Sequence, residues 1–503
     1  LSRKVDDNPL DYRPPFWKGE SRKSVLAKWQ KILEATDVKD KFPSLYEYEM
    51  EMKSKVGPMS IQKPLQDRID DIESYYKDIM VESKPLSKAA IAATKQWAKP
   101  IHGIRLRSVP HVIENMRLNT NSGSPFFTKR KNVVDLPIEL TYKDPANNVI
   151  HTPYGNYQLA ATLGWRGQEG GIKDDDVKQR VIWMMPFHVN VSELEYYQPA
   201  IEACQKQKLI PAYVSMDYVD QEVTALFDSK GVDDFVICTD FSRFDQHFNQ
   251  HMADAAKEII ASTCVNSDYN LPILVWLRDV FPIKYYIPLI CSEELMYTGV
   301  HGMGSGSGGT NFDESLAHKA LQFEAAINKN QTLNPHSMAY GDDGILTFPG
   351  IAVEDVIQTY ESHGQVMNPD KQYVSKHDCV VLRRWHSTHY RVNGTMVGVY
   401  STFRALGRLL AQERYYDPEK WNAEMVTLRA LSILENCKWS PVFHDFIDFV
   451  ITGDKYQLGL AIPGFFERLQ KTAQEAIENF EDFLGYTKTL QNPDSTAGIN
   501  DWE

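Results

Sequence analysis

Apolar residues recur at helical spacing through the first 100 positions of the chain. Val25, Leu26, Trp29, Ile32 and Leu33 form one stripe, and Ile61, Leu65, Ile69, Ile72 and Ile79 form a second, which predicts a helical region. From residue 104 to about 213 the pattern breaks into short, turn-rich pieces with basic clusters, Lys129-Arg130-Lys131 and then Lys173, Lys178 and Arg180. From 214 to about 380 strand-like and helix-like runs alternate, as in an α+β unit. Past Arg384 the pattern is helical again, and its last stripe passes through Phe465, Leu469, Ala473, Ala476, Phe480 and Leu484. Residues 489–503 are polar, hold Pro493 and Gly498 and carry no stripe, so they read as a flexible tail.

Size and composition narrow the classes. At 503 residues the chain exceeds one ordinary core and predicts about three domains. The formal net charge of −13 argues against a protein that coats nucleic acid over its whole surface, though not against a basic channel inside an acidic shell. The six cysteines (Cys204, Cys238, Cys264, Cys291, Cys379, Cys437) show no paired spacing and predict reduced thiols and no zinc site. The most apolar stretch, residues 271–290, is interrupted by Arg278, Asp279 and Lys284, which a membrane span does not tolerate. It reads as core helix and strand.

Three elements carry candidate chemistry. In Tyr340-Gly341-Asp342-Asp343 two carboxylates stand at a turn between short apolar runs, which predicts a hairpin. Adjacent ionised carboxylates repel unless a cation intervenes, and an all-oxygen set suits Mg²⁺ or Mn²⁺. A solvated acidic turn is the alternative. About 100 residues earlier, the apolar run from Phe235 ends at Asp240, and Asp245 follows as a helical stripe begins (Phe248, Met252, Ala255, Ile259). A carboxylate there can face the hairpin across a sheet, and three such groups can hold two ions roughly 3.5–4 Å apart for phosphoryl or nucleotidyl transfer. A helix cap is the alternative for either Asp. Between them, Gly302-Met303-Gly304-Ser305-Gly306-Ser307-Gly308-Gly309-Thr310-Asn311 runs into a helical pattern and offers N–H and hydroxyl groups to phosphate or ribose. It lacks the G-K-[ST] of a P-loop and could instead be a linker.

In this order and spacing the three elements resemble the palm of viral RNA-dependent RNA polymerases. Further matches extend across most of the chain. Thr120-Asn121-Ser122-Gly123-Ser124-Pro125-Phe126 resembles the fingers loop at the template entrance, and Lys178-Gln179-Arg180-Val181-Ile182 the basic strand over the incoming triphosphate. Gly364-Gln365-Val366-Met367-Asn368-Pro369-Asp370-Lys371 resembles the palm loop that ends in a catalytic lysine, and Leu382-Arg383-Arg384 the primer grip. The Gly-Ser-Gly-Ser-Gly-Gly-Thr-Asn form and compact length are most similar to polymerases of double-stranded RNA viruses of picobirnavirus type.

The resemblance implies an α+β closed right hand with an antiparallel palm sheet flanked by helices. Residues 1–103 would bridge fingers and thumb, 104–213 form fingers, 214–384 palm with some fingers insertion, 385–488 thumb, and 489–503 the tail. It implies template-directed RNA synthesis with two Mg²⁺ or Mn²⁺ ions on Asp240 and Asp342, with Asp343 a further ligand or a charge tuner. Lys178 and Arg180 would hold the triphosphate and Lys371 would protonate the leaving pyrophosphate; Lys173 is read as surface. Asp245 would read the ribose through Ser305, Thr310 or Asn311. The position where many relatives carry the ribose-reading Asn is Glu314 here, and Asn311 or Thr310 is favoured over it because two carboxylates would repel. Ser122, Gly123, Gly306, Arg383 and Arg384 would contact RNA, unless one of the two arginines is taken up by a structural ion pair. Expected partners are template and nascent RNA, NTPs and a viral capsid protein. A monomer working in the virion interior and host cytoplasm, off the membrane, is expected. A reverse transcriptase usually has a bulky aromatic gate where this chain has Asp245 and lacks the glycine-rich loop. A non-catalytic RNA-binding virion protein would leave the three aspartates unexplained, since carboxylates repel phosphate.

Overall fold

The computed structural model describes residues 17–59, 61–173, 175–265, 269–412, 416 and 419–480; Leu484 and the tail at 489–503 lie outside them. Four antiparallel strands form the central sheet, in the order Tyr373–Ser375, Val236–Thr239, Asp343–Leu346, Met338–Tyr340. All four residues of Val236–Thr239 are buried, as expected of a strand covered on both faces. The helices Gln250–Thr263 and Thr310–Ile327 pack together on this sheet, sharing one large core with Leu346 and Ile237. Asn249 caps the first of them, its Oδ1 accepting from the Met252 N–H at 3.1 Å. The helix therefore starts after Asp245, which sits in the preceding turn.

A second sheet orders Lys178–Met184, Ala161–Gln168, Leu289–Ile290 and Met296–Tyr297. Its third strand comes from the 214–384 region and pairs with the earlier strand Ala161–Gln168, Leu289 beside Ala161 in parallel register, and its fourth pairs with the third. The 271–290 stretch is indeed short helices ending in a strand, Leu271–Val275, Ile283–Tyr286 and Leu289–Ile290. Lys284, one of the charges that interrupts it, is wholly buried and lies 3.0 Å from the equally buried Asp313. Such a pair is tolerated because Tyr197 and Tyr285 donate to the same carboxylate at 2.7 and 2.8 Å.

The region from 104 to 213 differs from the expectation of short pieces. It contains the 21-residue helix Phe187–Gln207, buried at positions 187, 189, 190, 191, 193, 196, 197, 200 and 204. Positions 189, 193, 196, 197, 200 and 204 follow helical spacing, but Glu193 interrupts them and the partly buried Leu194 and Ile201 lie off that face, which blurs the stripe in the sequence. The second N-terminal stripe is also shorter than expected. Only Ile69–Lys77 is α-helix, with Ile72 buried, while Leu65 lies in a 3₁₀ turn and Ile61 outside any helix.

The first stripe does bury Val25, Leu26, Trp29 and Leu33, on a helix capped by Ser21, and Ile32 stays exposed. It packs into the same core as Phe403, Leu406, Leu431 and Phe446 near the other end of the chain. Glu49 fastens this contact, accepting from the Thr402 N–H at 2.8 Å and the Thr402 hydroxyl at 2.7 Å, at the start of the Thr402–Leu410 helix. A few residues on, Pro58 O accepts from the Gly170 N–H at 3.2 Å, and Arg68 donates to Gly164 O at 2.8 Å. One N-terminal segment thus touches both the C-terminal helices and the second sheet. Arg404 and Glu169 join the same two regions directly at 3.0 Å.

Candidate active site

Register places the acidic residues. Thr239 pairs with Gly344 across antiparallel strands, so the next residue, Asp240, faces Asp343 at the sheet end. Tyr340 pairs with Asp343, leaving Gly341-Asp342 as a two-residue turn. Gly341 has φ +60°, a backbone that favours glycine at such a turn. Asp240 is held by its main chain, donating from N–H to Gln372 Oε1 and accepting from Gln372 Nε2, each at 2.8 Å.

The Thr310–Ile327 helix straps the hairpin from beneath. Ser315 Oγ accepts from the Gly341 N–H at 2.9 Å, and His318 Nδ1 lies 2.9 Å from Gly341 O. Lys319 donates to Ser337 O at 2.6 Å and Gln322 to Met338 O at 2.8 Å. These four side chains recur at helical spacing, so one face of the helix fixes the hairpin backbone. None was singled out from the sequence, although polar residues recurring at helical spacing were there to be seen.

The electrostatics show strong crowding of negative charge. Asp240 and Asp342 open on solvent, yet the protein around them raises both carboxyls. For Asp240 desolvation dominates and the charge of Lys371 opposes it. For Asp342 desolvation leads, Asp245 adds to it, and Arg180 opposes both. Asp343 is pushed up to about 7 by burial and then by Asp342. Its Oδ2 accepts from the Leu382 N–H at 3.0 Å, and Arg383 lowers it in part. Among the described residues no three acidic, His or Cys side chains are already gathered tightly enough to cage an ion. The donor set is all oxygen and the nearby cations only partly offset its repulsion, which a divalent cation would answer.

Lys178 and Arg180 are exposed on one face of their strand, two residues apart, with Arg180 in electrostatic reach of Asp342. Lys371 closes a 3₁₀ turn beside Gln372 and reaches Asp240 in the same sense. Arg383 is exposed in a two-residue turn whose residues, Leu382 and Arg383, both have positive φ (+52° and +61°). That backbone is costly for non-glycine residues.

Other expectations need correction. Arg384 is buried in a bidentate pair with Asp220, at 2.7 and 3.0 Å, so it is the arginine taken up by a structural ion pair and is not free to contact RNA. His386 joins the same carboxylate at 2.9 Å. Gly306 meets fingers backbone, for a Cβ there would fall 1.7 Å from Trp183 O. Ser305 donates to Val181 O at 3.1 Å, tying the loop to the same strand. The Thr310 hydroxyl turns to Gly304 O and Ser307 O at 3.2 and 3.3 Å, and Asn311 Oδ1 accepts from Tyr213 at 2.7 Å. The side chain that meets Asp245 is Glu314, with burial and then Asp245 pushing its carboxyl well up. Repulsion was the reason to disfavour this pairing, and protonation of Glu314, which its burial favours, relieves it. Ser122 is buried, its O accepting from the Phe187 N–H at 2.8 Å. Gly123, with φ +65°, sits where a Cβ would come within 2.9 Å of Met185 O. Both shape the loop near the fingers helix.

A family model described as viral RNA-dependent RNA polymerase matches residues 47–386. The chain is 51% identical, over all its length and 94% of the relative's, to a potential RNA-dependent RNA polymerase of human picobirnavirus (strain Human/Thailand/Hy005102/-). It superposes with a TM-score of 0.91 on the crystal structure of a human picobirnavirus RNA-dependent RNA polymerase, at 51% identity over 98% of this chain and 92% of that one. An insertion-loop deletion mutant of such an enzyme superposes with a TM-score of 0.89, at 51% identity over 94% and 92% of the two chains. Reverse transcriptase and non-catalytic virion protein are thereby set aside. With its hairpin carboxylates, its central antiparallel sheet and these relatives, the chain belongs to the viral RNA-dependent RNA polymerases and is similar to those of picobirnavirus.

Proposed function

We propose that Asp240 and Asp342 hold two divalent ions, Mg²⁺ or Mn²⁺, with Asp343 behind them as further ligand or charge tuner. The observation that carries this is the Thr239–Gly344 register, which sets carboxylates from two distant segments side by side. When bound, such ions acidify the primer 3′-hydroxyl and offset the charge on the triphosphate. The protein supplies position and complementary charge. Arg180, and Lys178 beyond it, bind the triphosphate, the guanidinium in bidentate fashion. Lys371 gives its proton to the departing pyrophosphate oxygen. Asp245 and Glu314 read the ribose, and Arg383 contacts the nascent backbone from its strained turn. The loop at Ser122 and Gly123 guides the template. RNA is taken up along a basic path despite the net charge of −13, so affinity falls steeply with salt. The enzyme works as a monomer with a capsid protein as partner, in the virion interior and host cytoplasm.

The test is to titrate metal-free enzyme with Mn²⁺ and with Mg²⁺ by calorimetry, in parallel with incorporation on a homopolymer RNA. Wild type should bind about two ions per chain in the presence of NTP, and Asp342→Asn should lose that binding. Equal binding by both proteins would remove the assignment.

A further inference from the structure

The N-terminal helix Pro43–Ser54 reaches a backbone turn far along the chain. Val381 pairs with Arg384 across the antiparallel strands Asp378–Val381 and Arg384–Ser387, so Leu382 and Arg383 alone close that hairpin. Both have positive φ, a conformation that two-residue hairpin turns normally fill with Asn or Gly. Leucine and arginine lack that freedom, so the turn keeps its shape only where its surroundings impose it.

Two contacts hold its backbone. Asp343 accepts from the Leu382 N–H, and the Tyr48 hydroxyl, 335 residues away in sequence, donates to Arg383 O at 2.7 Å. The Tyr48 side chain is buried, which raises its phenol and keeps it protonated as a donor. Its helix is fixed on either side of it. Ser44, one turn earlier, accepts from Trp385 Nε1 at 2.9 Å, and Glu49 accepts from the Thr402 N–H. Phe42, just before the helix, meets the Trp385 ring edge to face at 6.0 Å. Tyr48 is therefore a rigid donor, while the Arg383 residue it holds stays exposed.

Packing alone would be served by a phenylalanine at position 48. The hydroxyl adds direction, because fixing the Arg383 carbonyl fixes the backbone that aims the guanidinium. We propose that Tyr48 is a positioning residue for RNA synthesis, holding the Leu382–Arg383 turn so that Arg383 is presented to the nascent strand. This rests on the reading of Arg383 as a contact to that strand, and it makes the N-terminal helix part of the grip on the product.

The test measures Kd for a labelled primed RNA by fluorescence anisotropy, with single-nucleotide extension of the same RNA. Tyr48→Phe keeps the ring in its packing and should weaken primed RNA about fivefold, the scale of one lost hydrogen bond. Its KM for NTP and its kcat at saturating RNA should stay within about twofold of wild type. Arg383→Ala should weaken primed RNA as well, and adding Tyr48→Phe to it should cost nothing more, because the hydroxyl acts through that side chain. Ser44→Ala removes a hydrogen bond between the same helix and the same hairpin but none to the turn, so its Kd should match wild type. Unchanged affinity in Tyr48→Phe, a full further loss in the Arg383→Ala background, or an equal loss in Ser44→Ala would each overturn the proposal. If Arg383→Ala weakens RNA and Tyr48→Phe does not, the positioning role alone fails. If Arg383→Ala leaves the affinity unchanged, the reading of Arg383 fails and the role of Tyr48 falls with it.

Discussion

Glu314 faces Asp245 inside the palm, and its Oε1 is buried without a donor. Burial and the neighbouring Asp245 both favour the protonated form of Glu314. The pair therefore offers both a donor and an acceptor where other members of the family present an amide. A site built around a hydroxyl rejects the analogue lacking it, because its polar groups are then left unpaired.

Glu314→Ala should lower the preference for NTP over dNTP by about tenfold or more, the scale of one lost hydrogen-bond partner. Asp245→Ala should do the same, with a smaller effect on maximal turnover in Mn²⁺. Glu314→Gln keeps a donor toward Asp245 and should stay near wild type. Single-nucleotide incorporation gives the ratio of kcat/KM values. If that ratio is unmoved in both alanine variants, the pair is a structural cap.

Arg384→Ala should destabilise the fold by about 3–5 kcal/mol, since it leaves Asp220 buried without its main cation. The salt dependence of RNA binding should not change, because the guanidinium is buried against Asp220. Urea unfolding and a salt titration of RNA affinity check the two halves. A smaller salt slope with wild-type stability would return Arg384 to the RNA surface.

Lys371→Leu should slow catalysis by about 10²-fold, the lower range for a lost general acid, with little change in KM for NTP. Its charge also bears on Asp240, so weaker metal binding should accompany the slower step. Pre-steady-state incorporation separates rate from affinity. A change confined to KM would make it a binding residue.

Much of the site was legible because its parts are short and local. Asp240 at the end of an apolar run and Gly-Asp-Asp between two others each announce a strand end, and antiparallel pairing then brings them together. What the sequence hid depends on distant partners. The fate of Arg384 is set by Asp220, 164 residues away. The contact of Glu314 with Asp245 was obscured because two ionised carboxyls would repel. The Phe187–Gln207 helix was missed because polar Glu193 interrupts its buried face and the partly buried Leu194 and Ile201 lie beside it, which blurs the stripe that marks an amphipathic helix. Gly306 looked like a ligand-facing residue, yet it is small so that the loop can lie against Trp183.

The most direct test of the account is nucleotide incorporation by Asp342→Asn on a primed RNA template, with RNA affinity measured on the same preparation. The exchange removes one charge at the tip of the hairpin and leaves the Gly341 contacts to Ser315 and His318 in place. Incorporation should fall to background while RNA affinity stays within about twofold of wild type, because the carboxylate acts on the transition state and not on the phosphate grip. Incorporation at a rate near wild type would contradict the assignment of Asp342 and, with it, the proposed centre.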